Sequence, residues 1–144
     1  MAEGERRKGY FCITKDWDDD EVEVSFSIKP RFVYPNPRVH QNCGKVAIAR
    51  GPEIYCLEEC DNGKNLAALS IDTEAPLEEC WRDDLLGGLM MIKAKGKRLI
   101  TPAEIESFSE KFSPQHEGTE LTALPYGFWC NSKPGEMLVW IRAD

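Results

Sequence analysis

Short apolar runs separated by turn-forming residues occupy most of this 144-residue chain, and the longest of them has eight residues. Runs of this length bounded by Gly and Pro are typical of β-strands. KVAIAR (45–50) and EIYCLEE (53–59) are predicted strands, separated by a strong turn signal at Gly51–Pro52. Two further strands are predicted in LAALSI (66–71) and GGLMMIKA (87–94), where the paired glycines indicate a bulge or a close backbone approach.

A strict period of two marks DEVEVSFSIKP, residues 20–30. This alternation predicts a strand with one face on a core, joined to GYFCIT (9–14) as a hairpin through an acidic turn. Burying its four apolar side chains would contribute about 6–12 kcal/mol. We therefore expect this apolar stripe to pack on the rest of the chain or on a second copy. The stripe consists of Val22, Val24, Phe26 and Ile28.

The one predicted helix lies in TPAEIESFSEKF, residues 101–112. Thr101 suits the N-cap, Pro102 suits the first helical position, and Glu104 completes a capping box. After it, TELTALPYGFWCN (119–131) and MLVWIRAD (137–144) flank a Pro-Gly turn, and we expect a closing hairpin. Together these elements predict an all-β fold, an antiparallel β-sandwich of jelly-roll-like form with one short helix.

The charge of the chain excludes two classes of partner. The formal net charge is −7 and the cations are scattered, so neither nucleic acid nor an anionic membrane surface is an expected partner. No apolar run is long enough for a membrane span, and the charged N-terminus lacks the apolar region of a secretion signal. We therefore expect a cytoplasmic protein with six free thiols.

The cysteines are weak candidates for chemistry. Cys56 and Cys60 lie close together in the sequence, but the other cysteines and both histidines are isolated, whereas zinc sites usually need two close pairs. The acidic residues nearby would raise a thiol pKa, which disfavours a nucleophile. We expect Cys56 to be a small buried hydrophobe, and we expect no metal and no other cofactor. A metal or thiol-redox site that also uses Cys80 or Cys130 is the weakest alternative.

Carboxylates and aromatic side chains suggest a different kind of site. Adjacent acids on a strand point to opposite faces and are usually solvated, so we assign no catalytic residue among them. The four tryptophans could include a surface on which sugar rings stack. Trp129 and Trp140 lie in apolar runs and are expected in the core. Trp17 and Trp81 lie beside charged residues and are the candidates for carbohydrate contact.

Several phrases, taken in order, resemble the C-terminal portion of glycoside hydrolase family 127, a family that includes β-L-arabinofuranosidases. The phrases are GYFCITKDWDDDEVEVSFSI, GKVAIARGPEIYCLEECDN, DDLLGG and LTALPYGFWCNSKPGEMLVWIR. The likeness runs from about Gly9 to Arg142, nearly the whole chain.

The resemblance implies an accessory role. Members of the family have an α/α toroid catalytic domain followed by β-sandwich domains. Their cysteine nucleophile, their zinc ion with glutamate and cysteine ligands, and their glutamate acid/base belong to the toroid. No catalytic residue is carried over to this chain, and Cys56 corresponds to a cysteine of the sandwich. The resemblance also divides the chain into residues 9–34, like the last hairpin of a preceding sandwich, and residues 35–144, a terminal sandwich.

Two functions follow from these expectations. The first is a non-catalytic module that docks on a catalytic domain of the same or a neighbouring polypeptide. The second is a free-standing carbohydrate-binding module. A second copy of this chain, in a homo-oligomer, is a further expected partner.

Overall fold

The computed structural model describes residues 4–100 and 113–144, and β-strands dominate them. The predicted helix at 101–112 lies outside the described residues. The described elements are β1 (Glu5–Arg7), β2 (Tyr10–Cys12), β3 (Pro30–Val33), β4 (Lys45–Arg50), β5 (Glu53–Glu58), α1 (Glu59–Asn62), β6 (Leu69–Ile71), β7 (Glu78–Arg82), β8 (Leu89–Ile100), β9 (Gln115–Pro125), β10 (Met137–Leu138) and β11 (Ile141–Ala143).

The strands from β3 onward form a sheet that folds back on itself as a β-sandwich. Its order is β10-β5-β9-β8-β6-β11-β4-β3, with β7 added beside β8. Because β4 pairs with both β11 and β5, the path from β4 through β5, β9, β8, β6 and β11 returns to β4. All pairs are antiparallel except β6 with β11, which is parallel. The predicted all-β sandwich is confirmed.

The core lies between the layers of this folded sheet. In β4 the four central residues, 46–49, are all buried, because both faces of this strand are covered. A second, smaller apolar cluster surrounds Cys56. The largest fully buried side chains of the main cluster are Tyr55, Ile48, Leu57, Leu66, Leu69, Ile71, Ile92, Leu121 and Ile141.

Strands β4, β5 and β8 agree with the sequence prediction, including the turn at Gly51. The strand predicted at 66–71 is shorter than expected, because Leu66–Ala68 form a 3₁₀ turn and β6 begins at Leu69. The close approach at the paired glycines is also present. Gly88 has φ of +101°, and a Cβ there would lie 2.6 Å from the Trp81 ring. Strand β7 was not predicted, since four of its five side chains are exposed and only Cys80 is partly buried. Helix α1 was not predicted either.

The predicted strand at 20–30 is wrong for most of its length. Only Pro30 belongs to a strand, and residues 20–29 have no regular structure. The short hairpin of this region pairs β1 with β2 instead. The apolar stripe at positions 22, 24, 26 and 28 is 43–78% exposed, so the described residues leave much of it uncovered, although the Ile28 side chain lies beside Gly51. The residues do alternate between apolar and polar side chains, but the structure describes no neighbouring strand with which residues 20–29 pair, and an isolated strand is not stable.

The predicted closing hairpin is also wrong. Strand β9 pairs with β5 and β8, β10 pairs with β5, and β11 pairs with β4 and β6. The two runs around the Pro-Gly turn are therefore separated in the sheet. The division of the chain at residue 34 stays a prediction, although β3 lies before that boundary and pairs with β4 beyond it.

Candidate functional site

Cys56 lies in the core, as predicted. It is 1% exposed and packs with Leu89, Met91 and Leu124. Burial, with a smaller contribution from the Glu58 charge, raises the pKa of its thiol to about 12. A thiol with this pKa stays protonated at neutral pH and has no access to solvent. Cys56 therefore lacks the properties of a nucleophile.

Cys60 does not lie beside Cys56 in a metal site but approaches two carboxylates. Its thiol donates to Glu58 Oε2 over 3.8 Å, and ligand atoms of Glu58, Cys60 and Asp61 all lie within 4.8 Å of one another. Glu58 is buried, whereas Cys60 and Asp61 are exposed. Burial also raises the pKa of the Cys60 thiol. This small cluster disfavours a thiolate, the form of cysteine that binds metals.

Glu58 has a structural role at the end of β5. Its Oε1 accepts a hydrogen bond of 3.0 Å from the backbone N–H of Cys130, and its own carbonyl oxygen accepts one from the Asn62 side chain. The Asn62 amide also donates to the Thr122 carbonyl and accepts from the Thr122 N–H, both at 2.8 Å. These bonds join β5, α1, β9 and the loop after Trp129. The acidic segment around the two cysteines therefore holds these strands, the helix and the loop in their relative positions.

The two predicted carbohydrate contacts lie on the surface. Trp17 is 54% exposed with the Lys15 ammonium 5.2 Å from its ring centroid, and Trp81 is 60% exposed on β7. The part of the Trp81 ring over Gly88 is covered. Their exposure makes contact with a ligand feasible, and their role stays a prediction.

The other two tryptophans differ from expectation. Trp129 was expected in the core but is exposed and stacks on Tyr126, with ring centroids 6.0 Å apart. The reason is local: β9 ends at Pro125, a 3₁₀ turn follows, and the period-two pattern no longer applies. Trp140 is half-buried, because it lies in the gap between β10 and β11. There it lines a surface cavity together with residues of β4, β6 and β11.

That cavity has a volume of about 510 Å³ and adjoins a second one of about 420 Å³. We call the two together the cation groove. Lys45 lines both parts, Arg142 and Trp140 line the first, and Tyr34 lines the second. Sequence reasoning did not find this groove. Lys45 and Arg142 are almost a hundred positions apart, and only the register of β4 with β11 brings them together.

Comparison with known proteins places the sandwich in a family. Residues 30–142 match the glycoside hydrolase family 127 C-terminal domain. The chain is 29% identical to a non-reducing end β-L-arabinofuranosidase of Bifidobacterium longum, over 98% of this chain and 22% of the relative. A crystal structure of a family 127 β-L-arabinofuranosidase from Geobacillus stearothermophilus superposes with a TM-score of 0.78 and 38% identity, covering 83% of this chain and 19% of that one. A second structure of a family 127 β-arabinofuranosidase superposes with a TM-score of 0.70 and 30% identity, covering 83% of this chain and 18% of that one.

The fold and the comparisons define a β-sandwich domain of the kind found in glycoside hydrolases. The chain belongs to the glycoside hydrolase family 127 C-terminal domain family. It spans about a fifth of the length of the relatives that it matches. Among the described residues, no helix is both long enough and apolar enough to cross a bilayer.

Proposed function

We propose that this chain is a non-catalytic β-sandwich module of a β-L-arabinofuranosidase-like glycoside hydrolase, and that it supports or docks on the catalytic domain. The observation that carries the proposal is the match of residues 30–142 to a C-terminal domain that forms a small part of its relatives. The partner would be the α/α toroid that the resemblance implies, on the same or a neighbouring polypeptide. The buried Cys56 and its raised pKa support the assignment of catalysis to that other domain.

The apolar stripe at 22, 24, 26 and 28 is the surface that we propose for docking. It precedes residue 30, where the matched domain begins, yet it lies within the 98% of the chain that aligns with the Bifidobacterium enzyme. Each of these side chains would contribute about 1.5–3 kcal/mol if fully buried. The alternating polar residues would stay in water, as in a strand added to another sheet.

Co-expression with the toroid encoded in the same or a neighbouring reading frame tests the proposal. We expect the two polypeptides to co-purify in a fixed ratio, and the chain to raise the melting temperature of the toroid. A toroid that is equally stable and active with and without the chain, and that elutes separately from it, would contradict docking.

The second candidate function is carbohydrate binding through exposed tryptophans. Their exposure favours it, since a partly solvated indole can stack on a sugar ring. Arabinose-containing oligosaccharides should then change the tryptophan fluorescence, and Trp17→Ala or Trp81→Ala should remove the change. An unchanged signal at millimolar ligand counts against this function.

We also propose a reducing, cytoplasmic location, which the six unpaired cysteines support.

A further inference from the structure

The cation groove contains two like charges directly opposite each other. Lys45 on β4 and Arg142 on β11 are cross-strand partners, so their side chains project from the same face. Their neighbours Val46 and Ile141 point to the other face and are buried in the core. Like charges at directly opposed positions destabilise a sheet. The repulsion between the Lys45 and Arg142 charges therefore destabilises the free protein.

Among the described residues, no ion pair compensates for this pair. The chain has net charge −7, and six of its 18 cations form ion pairs with carboxylates among the described residues, but neither Lys45 nor Arg142 is one of these six. Arg142 Nη2 donates to the uncharged carbonyl oxygen of Ala67 over 3.1 Å. The Asp144 carboxylate feels the Arg142 charge but is already ion-paired with Lys97. Two cations in an acidic protein thus face one cavity, and an anion would complement them.

The walls of the cation groove are mainly flat and apolar. Trp140 lines one part, and the exposed Tyr34 lines the other together with Pro35 and Pro37. Each part is of the size that holds a small ligand, and the two share Cys43, Gly44, Lys45 and Ala143. An occupant that fits must offer ring faces to the aromatics and a carboxylate to the cations.

A peptide fits this surface less well. Strand β11 is hydrogen-bonded to β6 and β4, and β4 is bonded to β3 on its other side. The pairing with β3 covers residues 47–50 of β4, so at the groove only Lys45 and Val46 lack a β3 partner, and this edge is too short for an added peptide strand. A docked amphipathic helix would place its apolar face against two opposed charges. Sugar rings avoid both difficulties, since they stack on aromatic faces and need no backbone pairing.

We propose that the cation groove binds an acidic oligosaccharide, with a uronic-acid carboxylate between Lys45 and Arg142 and the neighbouring rings against Trp140 and Tyr34. Charge-assisted hydrogen bonds to the carboxylate would supply most of the specificity. This inference does not depend on the docking function proposed above, because the cation groove and the apolar stripe share no residue.

Calorimetric titration of the whole chain with trigalacturonate tests this inference, with a neutral arabino-oligosaccharide of equal length and an aspartate-rich peptide as comparisons. We expect trigalacturonate to bind, with an affinity that falls as salt is added. The neutral sugar should bind about tenfold more weakly or worse. Equal binding of both sugars, binding of the peptide alone, or no binding of trigalacturonate would overturn the proposal.

Variants identify the groove as the site. Arg142→Gln and Lys45→Gln should each weaken trigalacturonate binding about tenfold, whereas the matched control Lys93→Gln, which removes an exposed cation elsewhere, should leave it unchanged. Lys45→Gln should also raise the melting temperature of the free protein, since it removes the like-charge repulsion. Equal loss in all three variants would indicate attraction to general charge and would contradict the assigned site.

Discussion

Cys56 shows how position decides what a residue can do. A cysteine among carboxylates could be a metal ligand, a nucleophile or a small apolar side chain. Its place on β5, opposite Leu124 of β9, puts it in a dry cluster where the charged thiolate is strongly disfavoured. Cys60, four residues later, is exposed, and its neighbours are two carboxylates. Cys56 therefore lies in the core, whereas Cys60 lies at the surface.

This difference predicts selective labelling of the thiols. Since the ordinary pKa of this thiol is 9.0, a pKa of about 12 leaves Cys56 with roughly a thousandfold less thiolate at pH 8. With iodoacetamide at pH 8, the folded protein should be modified at the exposed Cys12 while Cys56 stays unmodified, as peptide mass spectrometry would show. In urea, both should be labelled. Labelling of Cys56 at the rate of Cys12 in folded protein would place Cys56 outside the core.

At the scale of elements, the sequence determines strands better than it determines their partners. Strands β4 and β5 are apolar runs with a strong turn between them, so local chemistry sufficed to predict both. Strand β7 carries mostly exposed polar side chains and is held by its pairing with β8, which no local pattern reveals. The separation of β9 from β10 likewise depends on long-range pairing. The same limit explains why the cation groove could not be predicted.

Two glycines in paired strands test the packing of the sheet. A Cβ at Gly96 of β8 would lie 2.3 Å from the Ser70 carbonyl oxygen, whereas a Cβ at Gly118 of β9 meets nothing within 4 Å. Gly96→Ala should therefore destabilise the protein by about 1–3 kcal/mol. Gly118→Ala is the matched control and should change stability by less than about 1 kcal/mol in either direction. Urea unfolding measures both, and equal effects would contradict the close contact of β6 with β8.

The apolar stripe also allows a matched comparison within one segment. If positions 22, 24, 26 and 28 dock as one face of a strand, Val24→Asp with Phe26→Asp should weaken binding to the toroid by at least about tenfold. Ser25→Asp with Ser27→Asp adds the same two charges to the polar positions and should have a much smaller effect. A pull-down with the co-expressed toroid compares them. Equal losses from both double variants would argue against docking by one face.

Oligomeric state needs a separate measurement, because a second copy could cover the same stripe. Light scattering of the chain alone gives its mass in solution. If the stripe serves the toroid, the chain should be a monomer in which residues 20–28 exchange their amide protons quickly. A dimer that dissociates in the Val24→Asp, Phe26→Asp variant would assign the stripe to a second copy instead.

At the scale of the molecule, the described residues form a closed sandwich and a preceding segment, residues 13–29, for which the structure describes no strand partner. The sandwich has its own core, and its ion pairs lie at the surface, where they contribute little to stability. The segment before residue 30 carries large apolar side chains that stay mostly exposed, although Ile28 lies beside Gly51 of the sandwich. Both this segment and the match to about a fifth of its relatives' length agree with the proposed role as a module that supports another domain.

Hydrolysis of an aryl β-L-arabinofuranoside by the purified chain is the decisive measurement of whether this module is non-catalytic. We expect no release of the aryl group above the rate without protein, because the buried Cys56 thiol is protonated and enclosed. Turnover that persists through further purification, is lost in Cys56→Ser and is retained in the control Cys12→Ser would show that this chain itself carries catalysis.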